Sequence, residues 1–321
     1  MKKNLFVSAV IVVMLISFVG MGGAAAKPSK FPSKAITLIC PFNPGGGADL
    51  TARAFAGTAP KYLGQSVIVM NKAGASGSVA HSAFKNEKPD GHTLIITGNS
   101  PSTVVPYLEK VTYDPVNDFI FLGRLTNLLN VLVVKKDSPH KTFSEFLAYA
   151  KANPGKLKIG TSGANSLDDL MLRMMNQELG IELVGIGFEA SSEGNFATMG
   201  GHIDGNLCAA LSTLPLIANG NLRALVNTSD TRDPSLKDVP TLIELGYNLS
   251  LNNSIGIGAP KGTPKAVTDF LENAIKETVA DPGYKAMASK LGLTPDYLNG
   301  ADFKKVTATE GEKVKKVVGK K

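Results

Sequence analysis

Three short stretches of this 321-residue chain set glycine, hydroxyl and amide groups directly after a β-branched run and before a helical pattern. They are Pro41-Phe42-Asn43-Pro44-Gly45-Gly46-Gly47-Ala48-Asp49, Lys72-Ala73-Gly74-Ala75-Ser76-Gly77-Ser78 and Thr161-Ser162-Gly163-Ala164-Asn165-Ser166. Glycine lets a backbone approach a ligand closely, and the first N–H groups of a helix lack intrahelical acceptors and attract anions. Such loops suit a carboxylate or a phosphate. The first lacks the Gly-Lys-Ser/Thr ending of a nucleotide P-loop, so nucleotide binding is not supported. Plain structural roles fit some of the same residues: Asp49 as a first-turn acid paired with Arg53 four residues on, and Asn165 or Ser166 as a helix cap.

Catalytic signatures fail on inspection. Gly160-Thr161-Ser162-Gly163-Ala164 approaches a nucleophile elbow, but Ala164 stands where a second glycine belongs. Ser138-Pro139-His140-Lys141 matches S-x-x-K by letters only, in a Pro-containing loop without a companion motif. Gly185-Ile186-Gly187-Phe188-Glu189-Ala190 spells G-x-G-x-x-A, yet the segment after it is interrupted by glycines and makes a poor dinucleotide-binding helix. The four histidines, His81, His92, His140 and His202, are scattered without metal-ligand spacing. No cofactor and no metal are expected. Met171, Met174 and Met175 follow helical spacing with Leu167, Leu170 and Leu179 and read as core.

The elements that must position these loops alternate short apolar runs with longer helical patterns, the signature of parallel strands covered by helices. Strands are expected at 36–40, 66–71, 93–97, 119–122, 131–135, 157–160, 183–186, 203–208, 222–227 and 254–258. Ten strands exceed one small sheet. A helix at 142–152 opens with a capping box, Thr142 with Glu145, and stops at Asn153-Pro154-Gly155. The strands at 119–122 and 131–135 have no helical pattern between them, as where a chain walks from one sheet into another. A polar stretch at 228–238 marks a second walk. The expected organisation is a signal peptide at 1–26, a first domain from 27–125 plus 232–321, and a second domain at 126–231.

Composition narrows the function. Hydrophobic residues make up 43% of the chain and charged residues 19%, a globular balance. Cys40 and Cys208 form no CxxC and cannot build a zinc site or a disulfide framework. The formal charge is +7, with much of the excess in the tail lysines, but no aromatic residues interleave with them. Nucleic acid is not an expected partner. Lys2 and Lys3, an apolar run from Leu5 to Met21 and Ala24-Ala25-Ala26 read as a secretory signal peptide cleaved after Ala26. A periplasmic protein is expected.

In their order along the chain these motifs resemble the solute-binding receptors of tripartite tricarboxylate transporters, the periplasmic binding proteins of the Bug and TctC type. The family's aromatic, Pro-Gly-Gly, Asp and Ala-Arg pattern resembles Phe42 through Arg53, and its Asn with a glycine-rich loop resembles Asn71 through Gly77. Pro89-Asp90-Gly91-His92-Thr93-Leu94, Gly200-Gly201-His202-Ile203-Asp204, Leu222-Arg223-Ala224-Leu225, Asp238-Val239-Pro240-Thr241 and Ala259-Pro260-Lys261-Gly262-Thr263-Pro264 follow in the family's order.

The resemblance implies an α/β two-domain flytrap of the type II-like kind, each domain a mainly parallel sheet flanked by helices, with the ligand in the interdomain cleft. It implies a non-catalytic monomer that captures a small organic carboxylate and delivers it to integral-membrane permease subunits. Carried over, the first-domain ligand residues are Phe42, Gly46, Asp49, Ala75, Ser76 and Gly77. Those of the second domain are Ser162, Asn165, Ser166 and Phe188. Phe188-Glu189-Ala190 replaces a Tyr-Lys-Gly found in many relatives, and the tryptophan they often carry ahead of the Gly-x-x-Ala-Pro segment is absent. The competing reading is an exported α/β hydrolase or transferase that uses Ser162.

Overall fold

The computed structural model describes residues 31–163, 165–188 and 191–319. The expected signal peptide at 1–26 and Glu189 lie outside the described residues. The chain runs through β1 (Ile36–Cys40), α1 (Gly47–Thr58), α2 (Pro60–Leu63), β2 (Val67–Asn71), α3 (Ser78–Phe84), β3 (Thr93–Thr97), α4 (Ser100–Thr103), α5 (Val105–Leu108) and β4 (Phe119–Leu128). It continues as β5 (Asn130–Lys135), α6 (Phe143–Ala152), β6 (Lys158–Thr161), α7 (Leu167–Leu179), β7 (Val184–Gly187), α8 (Ser191–Met199), β8 (Gly205–Ala209), α9 (Leu214–Ala218) and β9 (Leu222–Asn227). It closes with β10 (Asn253–Pro260), α10 (Lys265–Ala280), α11 (Pro282–Lys290), β11 (Pro295–Asn299) and α12 (Gly300–Val318).

These strands form two sheets, β11-β4-β10-β3-β1-β2 and β7-β6-β8-β5-β9, each flanked by helices. The two-domain α/β fold stands, with one correction: both sheets are mixed rather than mainly parallel. β1 pairs parallel to β2 and β3, but β10 runs antiparallel to both β3 and β4, and β11 antiparallel to β4. In the second sheet β6 lies parallel to β7 and β8, while β5 runs antiparallel to β8 and β9. The cause is the pair of passages between sheets. β4 ends at Leu128 and β5 starts at Asn130, so the chain changes sheets without the helical crossover a parallel neighbour requires. The return runs through 228–252.

Burial explains the strand sequences. Ile36, Leu38 and Cys40 face one core cluster while Ile39 faces another with Ala80 and Phe84, so β1 is covered on both sides and reads as a continuous apolar run. β2 is the sheet's edge and exposes Ile68 and Met70. α6 starts as expected, with Thr142 Oγ1 accepting from Glu145 N at 3.2 Å, although the Glu145 carboxylate accepts from Lys141 N rather than from Thr142. Both cysteines are buried and free.

The last helix serves both halves. Near its start Phe303, fully buried, fills the groove left by two glycines: a Cβ on Gly98 or on Gly256 would lie 2.4 Å from its ring. Near its end Val314 belongs to the second core, with Leu132, Phe146 and Leu207.

Candidate ligand cleft

Because β1, β2 and β3 are parallel, the loops that follow them emerge at one sheet edge, where open α/β proteins bind ligands. Gly77, at φ +92°, is the point where these loops touch: a Cβ there would stand 3.0 Å from Pro101 Cγ and 3.2 Å from Pro41 Cβ. Gly74, Ala75, Ser76 and Gly77 all have positive φ, at 140°, 43°, 49° and 92°. Two of them are not glycine, and backbone held in that region concentrates at ligand clamps. Below the loop, His81 is fully buried, with Nδ1 3.1 Å from Gly77 O and Nε2 3.2 Å from Thr97 Oγ1. Burial lowers its pKa to about 4 despite the Gly77 hydrogen bond, so the neutral ring donates from Nδ1 and accepts from the threonine. His81 is a strut for the second loop.

The first loop is folded by Asp49. Its Oδ2 accepts from Gly45 N at 2.9 Å and Arg53 Nε at 2.9 Å, and its Oδ1 from Asn71 Nδ2 at 2.8 Å. Burial alone raises a carboxyl pKa, but the hydrogen bonds from Arg53, Gly45 and Asn71 outweigh it and hold Asp49 below the usual range. Asp49 is 1% exposed, so it shapes the loop and points no oxygen at the cleft. Asn71 also donates to Phe42 O at 3.0 Å, tying the aromatic into the same turn. α1 and α3 then begin at Gly46 and Gly77 without any side-chain cap; this leaves the first N–H groups of α1 for a ligand, whereas in α3 the Ser78 N–H donates to Ala75 O within the second loop.

On the second sheet the third loop follows β6. Ser166 caps α7, its Oγ accepting from Asp169 N at 3.1 Å. Asn165, at φ +59°, donates from its backbone to Asp169 Oδ2 at 3.0 Å and from Nδ2 to Glu109 Oε1 at 3.3 Å, beyond the end of α5. Phe188 packs beside this loop: its N donates to Thr161 O at 2.9 Å and its ring lies 3.2 Å from where a Gly160 Cβ would be. Ser162 Oγ donates to Asp168 Oδ2, and Asn130 Nδ2 donates to Asp168 Oδ1 at 2.5 Å. Asn130 also joins the two passages between sheets, its carbonyl accepting from Thr228 N at 2.9 Å.

The two halves meet at the head of α1. Leu211, just past β8, lies 3.4 Å from a Cβ built on Gly47 at the head of α1, and it packs on the first core. Of the expected ligand residues, Phe42, Gly46, Ala75, Ser76 and Gly77 lie on the loops after β1 and β2 of the first sheet, with Asp49 beneath its loop, and Ser162, Asn165, Ser166 and Phe188 lie after β6 and β7 of the second. A groove of ≈ 680 Å³ between residues 106–117 and α12 holds none of them. Among the described residues no cluster of His, Cys, Asp and Glu could hold a metal.

Three residues escaped the sequence reading. Asn99 follows β3 as the glycine loops follow β1 and β2, and its Oδ1 is buried with no partner among the described residues. Its position after a strand was a usable signal. Asp168 and Asn130 gave none, because an acid in a first helical turn and an amide at a strand start are ordinary.

A sequence profile described as "tripartite tricarboxylate transporter family receptor" matches residues 51–321. The chain belongs to this family. The receptor is 34% identical over 92% of its length to a UPF0065 protein of Cupriavidus necator, covering 90% of that protein. It superposes on an unliganded TctC solute binding protein from Polaromonas with a TM-score of 0.79 at 28% identity, covering 91% of this chain and 100% of the other. MatC from Rhodopseudomonas palustris, solved with bound malate, gives a TM-score of 0.75 at 26% identity, with 90% and 100% covered. Membership makes the chain a solute-binding receptor and not an enzyme, which removes the hydrolase reading of Ser162.

Proposed function

We propose that this receptor closes its two domains on a small organic carboxylate and hands it, on the periplasmic side, to the membrane permease of a tripartite transporter. The observation that carries the reading is the convergence at one sheet edge of two glycine-rich loops that run into helices without side-chain caps and are almost devoid of side-chain cations: 41–49 has no lysine or arginine and 72–77 only Lys72. Backbone N–H groups can hold a carboxylate through charge-assisted hydrogen bonds without a cation. The malate bound to MatC supports the same ligand class. Native mass spectrometry of the purified receptor is the test. The expected result is a co-purified or exchangeable acid of a few carbons, and a receptor that retains only neutral sugars or peptides would end the proposal.

Lys72 is exposed at the margin of its loop. Lys72→Ala is therefore expected to weaken binding no more than about fivefold, as an exposed charge contributes roughly 0.2–1 kcal/mol. Titration calorimetry checks this, and loss of binding would show that a side-chain cation holds the anion. The route of export gives a second expectation. Secreted material should begin at Lys27, and amino-terminal sequencing that finds Met1 instead would remove the cleaved leader from the reading.

A further inference from the structure

Behind the third loop, Ser162 and Asn130 both turn their hydrogens to the Asp168 carboxylate. A serine hydroxyl carries one hydrogen, and that of Ser162 is committed to Asp168 Oδ2. Partly exposed Ser162 therefore presents only oxygen lone pairs to the cleft. Asp168 is 4% exposed and cannot shed this bond to water. The other oxygen of Asp168 takes the Asn130 amide N–H, and this bond fixes the amide so that Asn130 Oδ1 is a buried acceptor with no donor among the described residues. The ionisable groups around Asp168 are Asp169 on its own helix, turned to Arg173 at 2.6 Å, and the buried thiol of Cys208 on β8, which burial keeps protonated. Among the described residues no lysine, arginine or histidine is ion-paired with Asp168.

We infer that Asp168 sets the specificity of the second-domain subsite: by holding the Ser162 proton, it selects carboxylates that bring their own hydrogen-bond donor, a hydroxyl or an ammonium group, over acids that would place a second carboxylate there. This rests on the carboxylate-receptor reading above. If Asp168 is protonated the polarity reverses. The carboxylic acid then donates to Ser162 Oγ, and the serine hydrogen is free to meet an anion. Burial pushes the Asp168 pKa up to about 6, against the pull of the Ser162 hydrogen bonds. Both states are accessible near neutral pH, and a donor-free diacid can enter by taking up a proton with it. Asp168→Asn imitates the protonated state in the same volume, since the new amide N–H donates to Ser162 Oγ while its carbonyl still accepts from Asn130.

The test uses acids that differ by one donor: malate and aspartate against succinate, glutamate against glutarate, and lactate and alanine against propionate. At pH 8, titration calorimetry of the wild-type receptor should show the donor-bearing member of the tightest pair binding at least about tenfold more tightly. In Asp168→Asn the preference should fall to within about threefold, chiefly through tighter binding of the donor-free acid. Ser162→Ala, which removes the group that displays the polarity, should narrow the preference as well. At pH 6.5, binding heats compared across buffers of different ionisation enthalpy should reveal net proton uptake with the donor-free acid and little with its partner. Equal binding of both members at pH 8, or a preference unchanged in a folded Asp168→Asn, overturns the inference and leaves the receptor reading intact. If none of the acids binds, the carboxylate reading falls and this inference with it.

Discussion

Replacing Gly46 by valine is expected to raise the dissociation constant for the bound carboxylate by about thirtyfold or more, roughly 2 kcal/mol, with stability unchanged. Gly46 is exposed at the head of α1, with φ −79° and ψ 167°, a conformation open to any residue. A Cβ there finds only Asn43 O, at 3.8 Å. The fold therefore tolerates the side chain, and the cost falls on whatever approaches the N–H groups of α1. The same exchange at Gly77 would be uninformative, because positive φ and the contacts with Pro41 and Pro101 would damage the loop itself. Titration calorimetry reads the effect after circular dichroism and a denaturation curve confirm the native fold. Unchanged affinity in Gly46→Val would mean that the ligand is held elsewhere.

The largest stability effect is expected at Phe303. Phe303→Ala should cost about 3–5 kcal/mol, the usual range for emptying a buried aromatic site. Glycines at 98 and 256 make its groove, and Phe121 meets its ring edge-on at 5.1 Å, so no neighbouring side chain stands ready to fill the space. Urea unfolding measures the change, and Phe196→Ala is the control, since Phe196 is 62% exposed and should change stability by less than about 0.5 kcal/mol. A loss below about 1 kcal/mol at Phe303 would show that α12 is dispensable to the first core.

Much of this fold could be read from the residues. β1 and β3 announce themselves because strands buried on both faces need unbroken apolar runs, and the loops after β1, β2 and β6 announce themselves through glycine. β4 was legible only at 119–122, although it continues to Leu128. Its second half contains Arg124, Thr126 and Asn127, polar residues that enter a sheet only because β10 and β11 flank them and Arg124 meets Asp296 at 2.5 Å. β11 was missed for the same reason. It is a half-buried edge around Pro295 and Asp296, held by β4 rather than by its own pattern. In the cleft, residue type and spacing located Asp49 with its Arg53 pair, and located Ser162, but not the rest of their work. Each acts through a partner outside its own loop, Asn71 for Asp49 and Asp168 with Asn130 behind it for Ser162, and short-range spacing does not encode such pairings.

The strand order also governs how the molecule can be assembled as it emerges, amino end first. All five strands of the second sheet are present by residue 227, so that half can reach its final pairing early. The first sheet cannot. β10 lies between β3 and β4, and until residues 253–260 appear those two strands show each other bare, hydrogen-bonding edges. Open edges recruit wrong partners, and closing them over so long a stretch of chain is slow. Whatever keeps the emerging polypeptide from aggregating has its main task there, on the amino-terminal strands, which wait for about the last fifth of the chain to complete their sheet.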